Sequence, residues 1–152
     1  MSRTDVILLV EDNDDDAELT VMAFRDAQIS NPIVRVADGV EALDYLFARG
    51  RHAGRSADEL PTLVLLDLKL PRLNGIEVLK ELRGSPLTRR QPVVILTSSA
   101  EEQDRVAAYD NHVNSYVRKP VDYDQFVAAT RQLGLYWSVV NMPPPAGPAG
   151  AG

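Results

Sequence analysis

The chain has 152 residues, of which 45% are hydrophobic, and this is enough for one globular domain with a buried core. Its formal net charge is −6, so it lacks the basic excess with which proteins displace counterions from nucleic acid, and direct nucleic-acid binding is not expected. It contains no cysteine, which excludes disulfides, zinc-thiolate sites and cysteine nucleophiles.

Short apolar runs alternate with amphipathic stretches along the chain. The first run is cut off by Glu11 and Asp12 and is too short for a signal sequence or a membrane span, so we expect a cytoplasmic protein with no membrane contact. Continuous apolar character is typical of parallel strands that are covered on both faces. Five strands are predicted: Val6 to Val10, Ile33 to Ala37, Leu63 to Leu66, Val93 to Leu96, and Ser115 to Val117.

The stretches between the strands have helical periodicity. A fourth helix is expected at about Glu101 to Asn111, and residues 49–61 are expected to form a surface loop with some mobility, because this connection is unusually long. Alternation of five strands and five helices predicts an α/β fold with a doubly wound parallel sheet. The apolar faces of the other helices are Ala17, Val21 and Phe24; Val40, Leu43 and Phe47; Ile76, Leu79 and Leu82; and Phe126, Thr130 and Leu133.

Helix boundaries carry residues with a physical reason to be there. Asp14, Asp15 and Asp16 are predicted to cap the first helix, where carboxylates meet free amides and the positive end of the helix dipole. Gly75 is predicted to open the third helix, and Asp122 to cap the fifth.

Polar residues follow the predicted strands at their carboxyl ends. Glu11 and Asp12 follow the first strand, Asp67 the third, Thr97 the fourth and Lys119 the fifth. Carboxyl ends of parallel strands meet at one edge of a sheet, so these side chains are expected to converge there. Clustered carboxylates repel one another unless they share a proton or bind a cation, and oxygen ligands favour Mg²⁺, Mn²⁺ or Ca²⁺.

Four motifs in this order resemble the receiver domain of bacterial response regulators over roughly residues 5 to 135. They are Val10-Glu11-Asp12-Asn13; Leu66-Asp67-Leu68-Lys69-Leu70-Pro71 followed by Asn74-Gly75; Leu96-Thr97-Ser98; and Tyr116-Val117-Arg118-Lys119-Pro120. The resemblance implies a flavodoxin-like (βα)5 sheet of strand order 2-1-3-4-5. It also implies a protein that accepts a phosphoryl group from a histidine kinase on one aspartate, and that is not otherwise an enzyme beyond Mg²⁺-dependent phosphotransfer and autodephosphorylation.

The resemblance assigns a role to each residue of the site. Asp67 is the implied phosphoacceptor, and Lys119 and Thr97 the implied partners of phosphoryl oxygens. Tyr116 is the implied switch residue, whose ring fills the space that Thr97 leaves, and the surface of the fourth helix, fifth strand and fifth helix is the implied output. The family also implies a cis bond before Pro120. The implied ligands of Mg²⁺, for which Mn²⁺ or Ca²⁺ can substitute, are Glu11, Asp12, Asp67 and the backbone carbonyl of Lys69.

Two residues depart from the common family pattern. Glu11 stands where many members have Asp, and its longer side chain can bind metal through water. Lys69 stands where many members have an apolar residue, and its side chain can lie over the phosphate and alter the lifetime of the acyl phosphate in either direction.

Residues 1–136 are predicted to form the receiver domain, and residues 137–152 a C-terminal extension with an interaction segment and a disordered tail of Pro, Ala and Gly. Neither a DNA-binding nor an enzymatic domain is predicted, so the output is expected to be an interaction. Tyr136, Trp137, Val139 and Val140 favour a homodimer that uses this extension with the fourth helix, fifth strand and fifth helix. Folding of the segment back onto its own domain is the alternative.

The long loop and the ending Gly134-Leu135-Tyr136-Trp137, with Asn141 and Pro143-Pro144, resemble the phytochrome-associated branch of single-domain response regulators. The implied kinase partner is a bacterial phytochrome. A phosphorylation-independent dimeric adaptor is the competing function. A flavin binder would need a phosphate-cradling loop after the first strand, where this chain is acidic. A haloacid-dehalogenase-type phosphatase would need an aspartate at the position of Lys69.

Overall fold

A computed structural model describes residues 2–57, 59–109, 113, 115–118, 124, 127–128 and 131. Five parallel strands form its central sheet: β1 (Ile7–Val10), β2 (Ile33–Val36), β3 (Leu63–Asp67), β4 (Val93–Thr97) and β5 (Ser115–Arg118). Their spatial order is β2-β1-β3-β4-β5, which confirms the predicted order 2-1-3-4-5. The connection from β1 through β2 to β3 therefore passes from one side of β1 to the other, and this places the ends of β1 and β3 next to each other.

Helices alternate with the strands as predicted: α1 (Asp14–Asp26), α2 (Gly39–Leu46), α3 (Gly75–Gly84) and α4 (Ala100–Tyr109). The predicted place of Asp14, Asp15 and Asp16 at the start of α1 is confirmed, since all three lie in its first turn, where the helix dipole favours carboxylates. The cap itself was predicted wrongly, because the Asn13 side chain accepts the hydrogen bond from the Asp16 amide at 2.8 Å. The predicted fifth helix is represented by the helical residues Asp124, Val127, Ala128 and Arg131, whereas its predicted cap Asp122 and apolar face lie outside the described residues.

Two apolar layers cover the sheet, because alternate residues of each strand point to opposite faces. Leu8, Val64 and Ile95 belong to the layer packed under α2 and α3, which also contains Val106 of α4. The other layer packs against α1 through Ala17, Ala23 and Phe24.

The predicted apolar face of α1 was wrong at one position. Val21 is 38% exposed, whereas Thr20 is 3% exposed and faces the sheet. A helix turns by about 100° per residue, so residues 17, 20, 23 and 24 form one face and residue 21 lies beside it. The Thr20 hydroxyl is satisfied within the helix by donating to the Asp16 carbonyl at 2.8 Å, and this removes the penalty for burying a threonine.

The long connection between α2 and β3 is more structured than a simple surface loop. It contains a 3-10 turn at Gly50–His52 and a two-residue strand at Glu59–Leu60, which pairs in parallel with Ser2–Arg3. The Arg55 guanidinium lies 3.9 Å from the centre of the Tyr45 ring and donates to the carbonyls of Tyr45 and Glu59. In the part of the chain that is described, no helix is both long and apolar enough to cross a membrane.

Candidate functional site

Three carboxylates converge where β1 and β3 end. Val10 of β1 is in register with Leu66 of β3, so Glu11 and Asp67 leave the sheet at the same level. One carboxylate oxygen from each of Glu11, Asp12 and Asp67 lies within 4.8 Å of the others. Glu11 is 1% exposed and Asp67 is 6% exposed, whereas Asp12 lies at the surface. The predicted convergence of these three side chains is therefore present in the structure.

Backbone amides hold two of the carboxylates in place. The Asn13 amide donates to Glu11 Oε2 at 3.3 Å, and the Lys69 amide donates to Asp67 Oδ1 at 3.1 Å. Each amide lies two residues after the carboxylate that it contacts, so the short turns that follow β1 and β3 create these hydrogen bonds locally. Carboxylates oriented in this way point into a common space.

Arg35 of β2 braces the loop that carries the acidic residues. Its Nε donates to the Glu11 carbonyl at 3.0 Å, and its Nη1 forms an ion pair with Asp14 Oδ1 at 2.7 Å. The guanidinium thus bridges the end of β1 and the first turn of α1. Sequence reasoning missed this residue, because an arginine in an edge strand is usually a solvent-facing residue.

Gly75 lets α3 begin against the end of β3. A Cβ atom built on Gly75 would lie 2.5 Å from the Asp67 carbonyl oxygen and 2.7 Å from Leu68 Cα. The Gly75 amide also donates to the Leu68 carbonyl at 3.0 Å. A side chain at this position would therefore displace the backbone of Asp67.

Thr97 ends β4 and is buried, and its hydroxyl points to a residue that sequence reasoning missed. The hydroxyl lies 2.9 Å from Glu102 Oε1 and 3.0 Å from the Ser99 carbonyl, both acceptors for its single proton. Glu102 Oε1 also accepts from the Ser98 amide at 3.0 Å and from the Ser98 hydroxyl at 3.2 Å. The sequence carried a partial signal, since Ser99-Ala100-Glu101-Glu102 fits a capping box, but that motif does not predict a contact with Thr97.

Glu102 remains charged although it is 8% exposed. Burial disfavours its charged form, but hydrogen bonds from the Ser98 amide, Thr97 and the Ser98 hydroxyl outweigh this effect. Lys69, whose Nζ lies 3.8 Å from Glu102 Oε2, acts in the same direction. The net result is a pKa of Glu102 below its ordinary value.

The remaining predicted site residues are only partly described. Tyr116 of β5 is in register with Ile95 and packs, half-buried, against the core layer under α2 and α3. Lys119 and Pro120 lie outside the described residues, as do Tyr136, Trp137 and the rest of the C-terminal extension. The roles of Lys119 and Tyr116 therefore remain predictions.

The acidic cluster fits a hard divalent cation. Its donors are carboxylate oxygens, two of them buried, and close negative charges of this kind are stabilised by a cation between them. Oxygen donors suit Mg²⁺, Mn²⁺ and Ca²⁺ better than softer metals.

Comparison with known proteins identifies the family. The family model described as the response regulator receiver domain matches residues 7–131, and the chain therefore belongs to this family of phosphoacceptor regulators. Among its relatives are single-domain, phytochrome-associated response regulators. This confirms the family and the branch that the sequence motifs resemble.

Three similar proteins cover almost the whole chain. The bacteriophytochrome response regulator RtBRR has a solved structure with a TM-score of 0.78 and 50% identity, covering 95% of this chain and 86% of its own. The probable methanogenesis regulatory protein FilR2 of Methanothrix harundinacea (strain 6Ac) is 42% identical over 95% of this chain and 89% of its own. The response regulator Rcp1 of Synechocystis sp. (strain ATCC 27184 / PCC 6803 / Kazusa) is 34% identical over 91% of this chain and 92% of its own. An Mn²⁺-bound structure of Rcp1 has a TM-score of 0.76 and covers 90% of this chain and 96% of its own.

Proposed function

We propose that this chain is a single-domain response regulator that accepts a phosphoryl group from a histidine kinase on Asp67. The observation that carries the proposal is the convergence of Glu11, Asp12 and Asp67 within 4.8 Å, at the strand ends of a receiver fold. Asp67 is the acceptor because it ends the middle strand of the sheet, between the strand that leads into Glu11 and Asp12 and the strand that ends in Thr97.

The transfer step follows from the chemistry of the carboxylate. An oxygen of Asp67 attacks phosphorus in line, forming an O–P bond as the N–P bond of the kinase phosphohistidine breaks, and the electron pair returns to the imidazole. The Lys69 amide orients the Asp67 carboxylate during this attack. Glu11, Asp12, Asp67 and the Lys69 carbonyl would hold Mg²⁺, Mn²⁺ or Ca²⁺. When bound, the cation offsets the negative charge of the carboxylates and of the arriving phosphoryl group.

Switching uses the residues around the acceptor. The Thr97 hydroxyl and Lys119 pair with phosphoryl oxygens, and Tyr116 moves into the space beside Thr97. The equilibrium between two conformations of the surface formed by α4, β5 and the fifth helix then shifts, and this shift is the output of the protein. Support comes from the burial of Thr97 at the end of β4 and from the half-buried position of Tyr116 on the adjacent strand.

The proposed phosphoryl donor is a bacterial phytochrome with a histidine kinase module, acting in the cytoplasm. The similarity to a bacteriophytochrome response regulator at 50% identity supports this donor. The relative FilR2 is described as a probable methanogenesis regulatory protein, so the class of sensor kinase is tested directly.

The test compares the rate of phosphotransfer from a purified phytochrome kinase with the rate from a kinase of an unrelated sensor, both autophosphorylated to the same extent. Faster transfer from the unrelated kinase would contradict the phytochrome assignment.

A homodimer through α4, β5, the fifth helix and residues 137–152 completes the proposal, with residues 1–136 as the receiver domain. Tyr109 at the end of α4 is 46% exposed, and this supports an apolar contact between the two protomers on this side of the domain. Truncation after Gly134 followed by light scattering tests the extension. A truncated protein that is still dimeric would contradict its role.

The acceptor is tested by incubating the protein with Mg²⁺ and a small phosphodonor and reading the intact mass. We expect one added phosphoryl group in the wild type and none in Asp67→Asn. Asp15→Asn is the matched control, since Asp15 is an exposed carboxylate in the first turn of α1, and it should be phosphorylated normally. A wild-type protein that dimerises but takes no phosphoryl group would favour the phosphorylation-independent adaptor instead.

A further inference from the structure

Of the two acceptors near the Thr97 hydroxyl, Glu102 Oε1 at 2.9 Å is a side-chain atom and the Ser99 carbonyl at 3.0 Å is backbone. We infer that Glu102 is a positioning residue that holds Thr97 in the unphosphorylated arrangement and must release it when Asp67 is phosphorylated. The inference rests on the proposed function, because it uses Thr97 as a partner of the phosphoryl group.

The contact between the two side chains is buried and short. Thr97 is 1% exposed and Glu102 is 8% exposed, and their oxygens are 2.9 Å apart. A hydrogen bond from a hydroxyl to a charged acceptor is stronger than one between neutral groups, particularly away from water. The Thr97 hydroxyl carries one proton, so it cannot donate fully to Glu102 and to a phosphoryl oxygen at the same time. Phosphorylation and the Glu102 contact therefore compete for one donor.

Lys69 connects the same carboxylate to the acceptor strand. Its Nζ lies 3.8 Å from Glu102 Oε2, and its backbone amide donates to Asp67 Oδ1. A phosphoryl group on Asp67 would add negative charge two residues from Lys69 and attract its ammonium group. The contacts of Glu102 with Thr97 and Lys69 are thus weakened by the same event.

Simple helix capping does not account for the Glu102 side chain. In a capping box its carboxylate would accept from the amide of the residue that caps the helix, which here is Ser99. The Ser99 hydroxyl does accept from the Glu102 amide at 3.1 Å, but the Ser99 amide donates to Thr97 Oγ1 at 3.3 Å. The Glu102 carboxylate instead accepts from Ser98 and Thr97, which lie one and two residues before Ser99. Loss of the Thr97 contact would remove one of the hydrogen bonds that join β4 to α4, where the proposed output surface begins.

The experiment measures the affinity of the full chain for beryllofluoride, a phosphoryl analogue, at saturating Mg²⁺ by NMR titration. Removal of the competing acceptor in Glu102→Ala should tighten binding about tenfold, since this is the size of one hydrogen bond to a charged group. Glu102→Gln keeps the shape and one acceptor oxygen but loses the charge, and it should tighten binding about threefold. Glu101→Ala is the matched control on the same helix turn, where the exposed Glu101 carries the same charge, and it should change the affinity less than about twofold.

A double-mutant cycle with Thr97→Ala separates positioning from charge alone. In the Thr97→Ala background, Glu102→Ala should change the affinity less than about twofold, because the contested donor is gone. A tenfold effect that persists in that background would overturn the inference, as would unchanged or weaker binding in Glu102→Gln with the fold intact. If Glu102→Ala does not fold, the Glu102→Gln cycle decides the question alone. If the wild type does not bind beryllofluoride, or if Asp67→Asn binds it equally well, the proposed function is contradicted and the inference with it. If the wild type binds and the Glu102 variants bind with the same affinity as the wild type, only the inference is contradicted.

Discussion

Replacing Gly75 with alanine is expected to destabilise the protein and to disturb the acceptor, although alanine is the better helix former. The added Cβ would lie 2.5 Å from the Asp67 carbonyl oxygen, whereas real Cβ atoms essentially never come closer than 3.0 Å. Relief of this contact requires a backbone shift of about half an ångström where α3 meets β3. Overpacking of this kind destabilises the fold by about 1–3 kcal/mol, and the higher helix propensity of alanine offsets less than about 1 kcal/mol of that loss.

The expected net loss is about 1–2 kcal/mol, which corresponds to a fall in Tm of about 2–8 °C for a domain of this size. Thermal and urea unfolding followed by circular dichroism measure it. The matched control is Gly84→Ala at the other end of α3, where nothing lies within 4 Å of the added Cβ. This control should be stabilised by about 0.5–1 kcal/mol, because alanine restricts the unfolded chain.

The two substitutions therefore differ in sign on the same helix. Phosphorylation of Asp67 should also slow in Gly75→Ala and stay normal in Gly84→Ala, because only the first moves the acceptor backbone. A Gly75→Ala protein that is as stable as the wild type, or a Gly84→Ala protein that loses as much stability, would refute the steric reasoning.

Three further predictions concern the cation, the buried carboxylate and a helix cap. Saturating Mg²⁺ should stabilise the wild type by about 2.7 kcal/mol at a hundredfold excess over Kd, and so raise its Tm, but should not raise the Tm of Asp12→Asn. Calorimetry with and without a chelator measures both Tm values, and an equal rise in the two proteins would contradict the metal assignment. Because hydrogen bonds lower the pKa of Glu102 in the folded protein, its charge stabilises the fold above the unfolded pKa, and this contribution is lost as pH falls through the folded pKa. Metal-free Glu102→Gln should accordingly be less stable than the wild type near neutral pH and approach it in acid, whereas a stability difference that stays constant with pH would argue against a charged Glu102. Asn74→Ala should cost about 1 kcal/mol in urea unfolding, because Asn74 and Glu77 exchange hydrogen bonds of 3.0 and 3.3 Å in a capping box. Ser30→Ala, which removes an exposed side chain between α1 and β2, should cost less.

The strands could be predicted because continuous apolar runs alternate with helical stretches, whereas their order was implied by the resemblance to receiver domains. β3, for example, was predicted as Leu63 to Leu66, and the observed strand ends one residue later, at Asp67. A two-residue strand such as Glu59–Leu60 is too short to show a periodic pattern in the sequence. Its formation also depends on pairing with Ser2–Arg3, which is distant in sequence. Val21 was misplaced because three residues alone do not fix the direction of a helix face.

The acidic cluster could be predicted for a topological reason. Glu11 and Asp67 end neighbouring parallel strands, so their convergence requires only the strand order. Arg35 and Glu102 could not be found in this way, because their roles depend on where long side chains reach across a turn. A capping pattern placed Glu102 at the start of α4 but gave no information about Thr97.

The short parallel pair between Ser2–Arg3 and Glu59–Leu60 has a practical consequence for reporter design. The Thr4 amide donates to the Leu60 carbonyl at 2.8 Å, and the Thr62 amide donates to the Val6 carbonyl at 2.8 Å. An N-terminal fusion would therefore be attached next to residues that are hydrogen-bonded to the segment leading directly into β3. Between Ala53 and Gly54, both exposed and remote in sequence from the acidic cluster, a peptide insertion would leave these hydrogen bonds intact. A fluorescent or affinity label for following phosphorylation belongs at that position rather than at the start of the chain.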